Sequence, residues 1–173
     1  MRHLLNLPPE LLILITETLP VYDVLKLRLT CAYLFDQIPR ASHTQLLQAE
    51  TTEWARHKDI YACRYCLRLR PAREFADRML RRRRSRYGAD SDKRFCIECG
   101  LKPREGMARY GPGAQIAIQG RVFVICLSCR HFRLGAYDRY GRSTLECASC
   151  WREHCPRELY NLPSLDKTHV RHE

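Results

Sequence analysis

Four CxxC pairs, at residues 63/66, 96/99, 126/129 and 147/150, constrain this chain more than any other feature of its sequence. A two-residue gap lets a tight turn bring both thiolates to one ion, with Zn–S bonds of about 2.3 Å. Eight sulfurs suffice for two tetrahedral sites of four thiolates each. Such closed sites leave no position for a reactive water, so they are structural rather than catalytic. Two structural Zn2+ are therefore the expected cofactors, held by Cys63, Cys66, Cys96, Cys99, Cys126, Cys129, Cys147 and Cys150. The pairs can combine consecutively, or they can interleave, first with third and second with fourth. The 17 residues between Cys129 and Cys147 fall in the usual range of about 15–20 for one site, which favours consecutive pairing in the second half. The 29 residues between Cys66 and Cys96 leave the first half open.

The alternative chemistry for such cysteines is free or redox-active thiols. No thioredoxin-like βαβ pattern surrounds any of the pairs, and four pairs together point to metal. A RING finger would place its second and third ligand pairs almost side by side, whereas 26 residues separate Cys99 from Cys126. The chain is thus not expected to be a ligase catalytic module. His154 and Cys155 follow the last pair as extras to a complete ligand set.

Charge divides the chain at about the same place as the cysteines. Residues 1–60 hold 6 basic and 7 acidic side chains, net −1, while residues 61–173 hold 24 and 12, net +12. Nine of the ten cysteines also lie beyond residue 60. Two regions of different construction are expected to meet there, within a length of 173 residues that suits one ordinary domain or two small ones. Eight thiolates and two Zn2+ would together contribute −4, which leaves the second region basic.

The first region reads as short helices. Pro8 and Pro9 suit a first helical turn, where a missing N–H costs little, and Glu10 suits the positive end of the dipole. Leu7, Leu11, Ile15 and Leu19 recur every four residues, with Leu12 widening the stripe, and Pro20 ends it. Val24, Leu27, Cys31 and Leu34 follow a 3-4-3 spacing, which predicts a second helix broken near Thr30. A third is expected over His43–His57, with Leu46, Leu47 and Trp54 inward. Leu11 to Ile15 are apolar around the whole circumference, more than so small a bundle can bury from one side. Either the cysteine-rich region or a separate protein must cover the remainder.

The same residues resemble an F-box. The Leu7-Pro8 opening, Glu10-Leu11, Ile15, Leu19-Pro20, Asp23, the Leu25/Leu27/Leu29 series and Cys31 stand in that family's order and spacing, while Tyr33-Leu34-Phe35 stands where the family often has a Trp. The resemblance implies helices that dock onto the Skp-type adaptor of a cullin ubiquitin ligase, with an unknown protein substrate held by the rest of the chain. Carried over by position, Leu7, Pro8, Leu11, Ile15, Leu19 and Leu25 would form the adaptor-facing surface. The arrangement of a short F-box before several CxxC pairs is similar to that of fungal F-box proteins. The expected organisation is an F-box over residues 1–42, a connecting helix over 43–60, a zinc-binding region over 61–160 and a polar tail over 161–173. The expected fold class is a small α module followed by a zinc-stabilised irregular and β region of ribbon or knuckle type.

Within the second region, Ile116–Cys126 reads as a hairpin turning at Gln119-Gly120. The segments CRYCLRLRP and CIECGLKPR, starting at residues 63 and 96, repeat a pattern of pair, Leu, basic residue and Pro, which suggests two knuckles of one shape. Arg78–Arg86, the run RMLRRRRSR, is either a solvated loop between ligand pairs or a contact for nucleic acid, an import receptor or an acidic substrate. No RNP-like aromatic platform accompanies it, so a zinc-ribbon nucleic-acid-binding protein is the alternative rather than the leading function. No Ser-His-Asp, Walker-type or open-metal constellation appears, and enzymatic activity is not expected. The N-terminal apolar segment is interrupted by Pro8, Pro9 and Glu10. It is too broken for a secretion signal and too short for a membrane span of about 20 residues, so an intracellular protein of the nucleus or cytoplasm with no membrane partner is expected.

Overall fold

The computed structural model describes residues 4–102 and 109–155; the expected polar tail lies outside the described residues. The chain divides into two compact units, Met1–Met107 and Ala108–Glu173. Residue 60, where composition changes, lies within the first of them.

The first unit opens with a 3-10 turn, Leu4–Asn6, and helix α1, Pro9–Thr18, with Pro8 in the extended N-cap position and Glu10 in the first turn. Helices α2, Val21–Arg28, and α3, Ala32–Gln37, follow, so the break expected near Thr30 falls between two separate helices. Leu12, Leu34 and Ile38 form a buried core against which Leu7, Val24, Leu27 and Cys31 pack, and the 3-4-3 series therefore faces inward. On α1 the packed side differs from the expected stripe. Leu12 and Thr16, four residues apart, are buried, whereas Leu11 is 45% and Leu14 57% exposed. Five successive apolar residues define no unique face, so periodicity could not select the side that packs.

Helix α4, His43–Glu50, starts with a capping box. The Ser42 hydroxyl accepts from Gln45 N–H at 3.2 Å and the Gln45 side-chain Oε1 accepts from Ser42 N–H at 2.8 Å, which satisfies two otherwise orphaned donors. The continuous helix expected over 43–57 is interrupted. Thr51 and Thr52 donate their hydroxyls to the carbonyls of Gln48 and Ala49, each at 2.7 Å, and Thr52 caps a separate α5, Glu53–His57. Such back-bonding competes with helix continuation. Leu46 is buried, while Leu47 and Trp54 are half-buried; the Trp54 ring stacks on Tyr22 with centroids 5.4 Å apart.

Strands β1, Ile60–Cys63, and β2, Arg68–Pro71, pair as an antiparallel hairpin. Four 3-10 turns between Ala72 and Lys93 carry the chain to the short helix α6, Ile97–Leu101. Gly88 is required within these turns, because a Cβ there would sit 2.1 Å from the Arg83 carbonyl oxygen.

The second unit is an antiparallel sheet in the order β3-β4-β5-β6, comprising Gln115–Ile118, Arg121–Ile125, Phe132–Tyr137 and Ser143–Cys147. It is followed by α7, Ala148–His154. The hairpin expected at Gln119-Gly120 is present. Both turn residues are left-handed, at φ +49° and +76°, as a two-residue type I′ turn requires. The buried centre of this unit is Val124 with Cys126 and Cys147, and Cys129 and Cys150 pack against it. Sulfur thus occupies the place of an apolar core.

Candidate functional site

The cysteines are delivered by two structures of one design. In the first unit β1 ends in Cys63, and the turn through Cys66 closes when Leu67, left-handed at φ +51°, donates its N–H to the Cys63 carbonyl at 3.1 Å. Cys96 is the N-cap of α6, and Cys99 lies in its first turn. In the second unit Cys126 follows β4, and Arg130, at φ +60°, donates its N–H to the Cys126 carbonyl at 2.9 Å. Cys147 is the N-cap of α7, and Cys150 lies in its first turn. The correspondence is therefore of 63/66 with 126/129 and of 96/99 with 147/150. The sequence likeness between the pairs at 63 and 96 does not describe it, because one pair sits in a strand turn and the other opens a helix.

Cys63, Cys66, Cys96 and Cys99 form one group and Cys126, Cys129, Cys147 and Cys150 the other, with the sulfurs of each group all within 4.8 Å of one another. The consecutive pairing is the one realised, in both halves. Tetrahedral thiolates at about 2.3 Å from a central ion stand about 3.8 Å apart; the sulfurs of Cys129 and Cys147 are 3.9 Å apart. Each group therefore fits one metal ion, with no place left for water or substrate. Neither group includes His154 or Cys155. His154 instead places Nδ1 3.0 Å from the Glu146 carboxylate.

The local electrostatics are alike at the two centres. Hydrogen bonding from the Cys96 side chain, with burial opposing and the backbone N–H groups of Cys66, Cys96 and Tyr65 assisting, draws the Cys63 thiol down to about 4. Burial opposes ionisation of Cys126, but the N–H groups of Cys129, Cys147 and Ser128 outweigh it and bring that thiol to about 6. Three thiols shift the opposite way. Cys96 is raised by its bond to Cys63, Cys99 is pushed up to about 11 chiefly by burial, and Cys150 to about 12 by its bond to Cys147. Clustered thiolates repel one another, so a cation among them favours their joint ionisation. Around the first group, Cys96 N–H donates to the Cys63 sulfur at 3.3 Å. Arg70 reaches Glu74 and Glu98, each at 2.9 Å, with Cys66 beside it.

A second feature is the uncovered side of the N-terminal helices. Of the six residues expected to face an adaptor, Pro8 and Leu11 are exposed, Ile15 and Leu19 are half-buried, and Leu7 packs on the core. Leu25 is half-buried and lines a groove with α5 and β2. Leu4, Leu5, Leu14 and Leu29, exposed by 38%, 49%, 57% and 74%, were not singled out by the spacing argument. Of these, Leu14 belongs to the segment that is apolar around its whole circumference and Leu29 to the F-box leucine series, while Leu4 and Leu5 carry no such signal.

The basic run is not a uniform solvated loop. Arg81, Arg82 and Arg83 are exposed, but Arg86 is turned inward and donates to the carbonyls of Glu50 and Ile60, the latter at 2.9 Å. Arg84 offers its backbone carbonyl to Arg94 at 3.1 Å. Hydrogen bonding from Lys93, reinforced by the Arg83 charge, holds Asp90 below the usual carboxylate range.

These elements define a class of protein: a small helical module followed by small β elements built around four-cysteine groups. Residues 4–36, spanning α1 and α2 and reaching into α3, match the family model described as the F-box domain, so the N-terminal helices of this chain are an F-box. No curated protein and no solved structure matches the chain. Among the described residues no helix is long and apolar enough to cross a membrane.

Proposed function

We propose that this protein is a non-enzymatic substrate receptor of a Skp-cullin-F-box ubiquitin ligase, acting inside the cell. The F-box docks on the Skp-type adaptor, and the remainder of the chain presents a target. The observation that carries this reading is the F-box match over residues 4–36 on helices whose Leu11 and Leu14 point away from their own core. Apolar anchors of this kind supply most of the energy of an interface. The adaptor-facing surface comprises Pro8, Leu11 and Leu14, flanked by Ile15 and Leu19.

The ions held by the two cysteine groups are Zn2+. All-thiolate tetrahedral coordination with no open position suits a structural zinc site, and the thin apolar core of the second unit makes metal its main source of stability. The zinc ions are thus scaffolding for a binding surface. The experiment is affinity purification of the tagged full-length chain from cell extract followed by mass spectrometry. Recovery of the Skp-type adaptor and a cullin supports the reading. Their absence, with nucleic acid co-purifying in a strongly salt-dependent manner, would instead support a nucleic-acid-binding protein.

A further inference from the structure

A groove of about 540 Å3 lies in the first unit between α2, α3, α5 and the β1–β2 hairpin. Its apolar surface includes Tyr22, Phe35 and Trp54, and its cationic side chains include Lys26, Arg40 and Arg68; among the described residues no carboxylate lines it. Two of the lining cations, Lys26 and Arg28, are held against the aromatic side chains. Lys26 Nζ stands 4.9 Å from the Tyr22 ring centroid and 5.7 Å from that of Trp54. Arg28 lies over Phe35 at 4.0 Å and is tethered by a 3.0 Å hydrogen bond from Nε to the Ile38 carbonyl. Lys26, Arg40 and Arg68 are all exposed. The carboxylate of Asp23 faces Tyr22, where its charge raises the phenol, but it does not line the groove.

No residue of α1 lines this groove. The outward leucines of α1 do not line the groove, whereas Leu25 and Leu29 of the F-box do, and an adaptor seated on Leu11 and Leu14 alone leaves the groove available. The volume is typical of a site that takes one to a few side chains. Aromatic walls bury an apolar group, while cations poised over those walls favour negative charge beside it.

We infer that this groove receives a short acidic segment of a target protein, one that places an aromatic or branched aliphatic side chain next to carboxylates. The inference rests on the receptor reading above and gives it a substrate class. Charge complementarity commits the groove to this occupant. A basic or purely apolar peptide would leave Lys26, Arg40 and Arg68 unpaired at its edge.

The test uses the full-length, metal-loaded chain as bait for a phage-displayed library of random peptides, with the Skp-type adaptor alone as the control bait. Enriched peptides should carry net negative charge and an aromatic or branched aliphatic residue. A synthetic representative should bind the Lys26→Glu, Arg40→Glu double variant at least about tenfold more weakly, with metal content and unfolding midpoint unchanged. Both positions are exposed, so the variant retains its fold. Neutral or basic enriched sequences, no enrichment over the control, or undiminished binding to the variant would overturn the inference. Adaptor binding is measured on the same preparations. If the charge-reversed variant loses the adaptor, the groove belongs to the adaptor interface and the inference fails. If the unaltered chain binds acidic peptides but no adaptor, the receptor reading fails while the groove assignment stands.

Discussion

Glu50 and Arg94 form an ion pair in which neither side chain has any exposure to solvent. They lie 44 residues apart in sequence. Glu50 ends α4 and also accepts the Ala62 N–H at 2.7 Å. Arg94 lies two residues before Cys96 and, through its backbone carbonyl, accepts the N–H of Arg64 at 3.0 Å. Both CxxC pairs of the first centre are thus tied to α4 by one buried pair, with the Tyr61 ring beneath the guanidiniums of Arg86 and Arg94 at 4.2 and 5.3 Å.

Removing one partner leaves an uncompensated buried charge. Glu50→Ala should destabilise the first unit by about 3–5 kcal/mol, measured by denaturant unfolding with saturating zinc. The double variant Glu50→Leu, Arg94→Met should recover part of this loss. It cannot recover all of it, because the Ala62 N–H would remain without its acceptor.

The two cysteine groups, each proposed to hold one Zn2+, belong to different units. Cys147→Ser should therefore lower the zinc content from two ions per chain to one. It should abolish slow amide exchange in β3–β6 while leaving β1, β2 and α4 protected. Loss of protection in both units would show that the two centres do not stabilise their units separately.

Arg70 braces the first centre from outside, between Glu74, Glu98 and Cys66. Groups that support metal ligands in this way typically contribute about 10–100-fold in affinity. Arg70→Met should weaken zinc binding at the first centre by a factor in that range, read by competition with a chromophoric chelator, and leave the second centre unchanged.

The turn joining β5 to β6 is held by Asp138. Its carboxylate accepts the N–H groups of Tyr140 and Arg142, both at 2.9 Å, and Arg142 Nε at 2.8 Å. The bond from Arg142 N–H leads the causes that lower its pKa. A lowered folded value means that the carboxylate's stabilisation is complete above the ordinary Asp value of about 3.9 and is lost as pH falls through the lower folded value. The amides of Tyr140 and Arg142 should lose protection in that acid window, and Asp138→Asn should weaken protection at neutral pH as well.

Much of this was legible in the sequence. CxxC spacing announced the two centres, because ligand pairing is a local property of a tight turn, and the second-half gap of 17 residues favoured its pairing. The F-box helices were legible from Pro8, Pro9, Pro20 and the inward series Val24, Leu27, Cys31 and Leu34. What the sequence did not disclose depends on contacts between distant residues. The Glu50–Arg94 pair has no local signal, and Arg84 and Arg86 look like any other members of a basic run. The break at Thr51-Thr52 reflects two side-chain hydrogen bonds that override helical periodicity. Leu11 read as a member of the inward stripe because the surrounding residues are apolar on every side.

Adaptor docking on the outer face of α1 is the central expectation for this protein. Isothermal titration of the zinc-loaded full-length chain with purified adaptor, compared with Leu11→Ala, Leu14→Ala, measures this directly. Both side chains are largely exposed, so the variant should keep its metal and its unfolding midpoint. It should bind the adaptor at least about 30-fold more weakly, a loss of about 2 kcal/mol. Equal affinity for the two proteins, or no binding by the unaltered chain, would contradict the account.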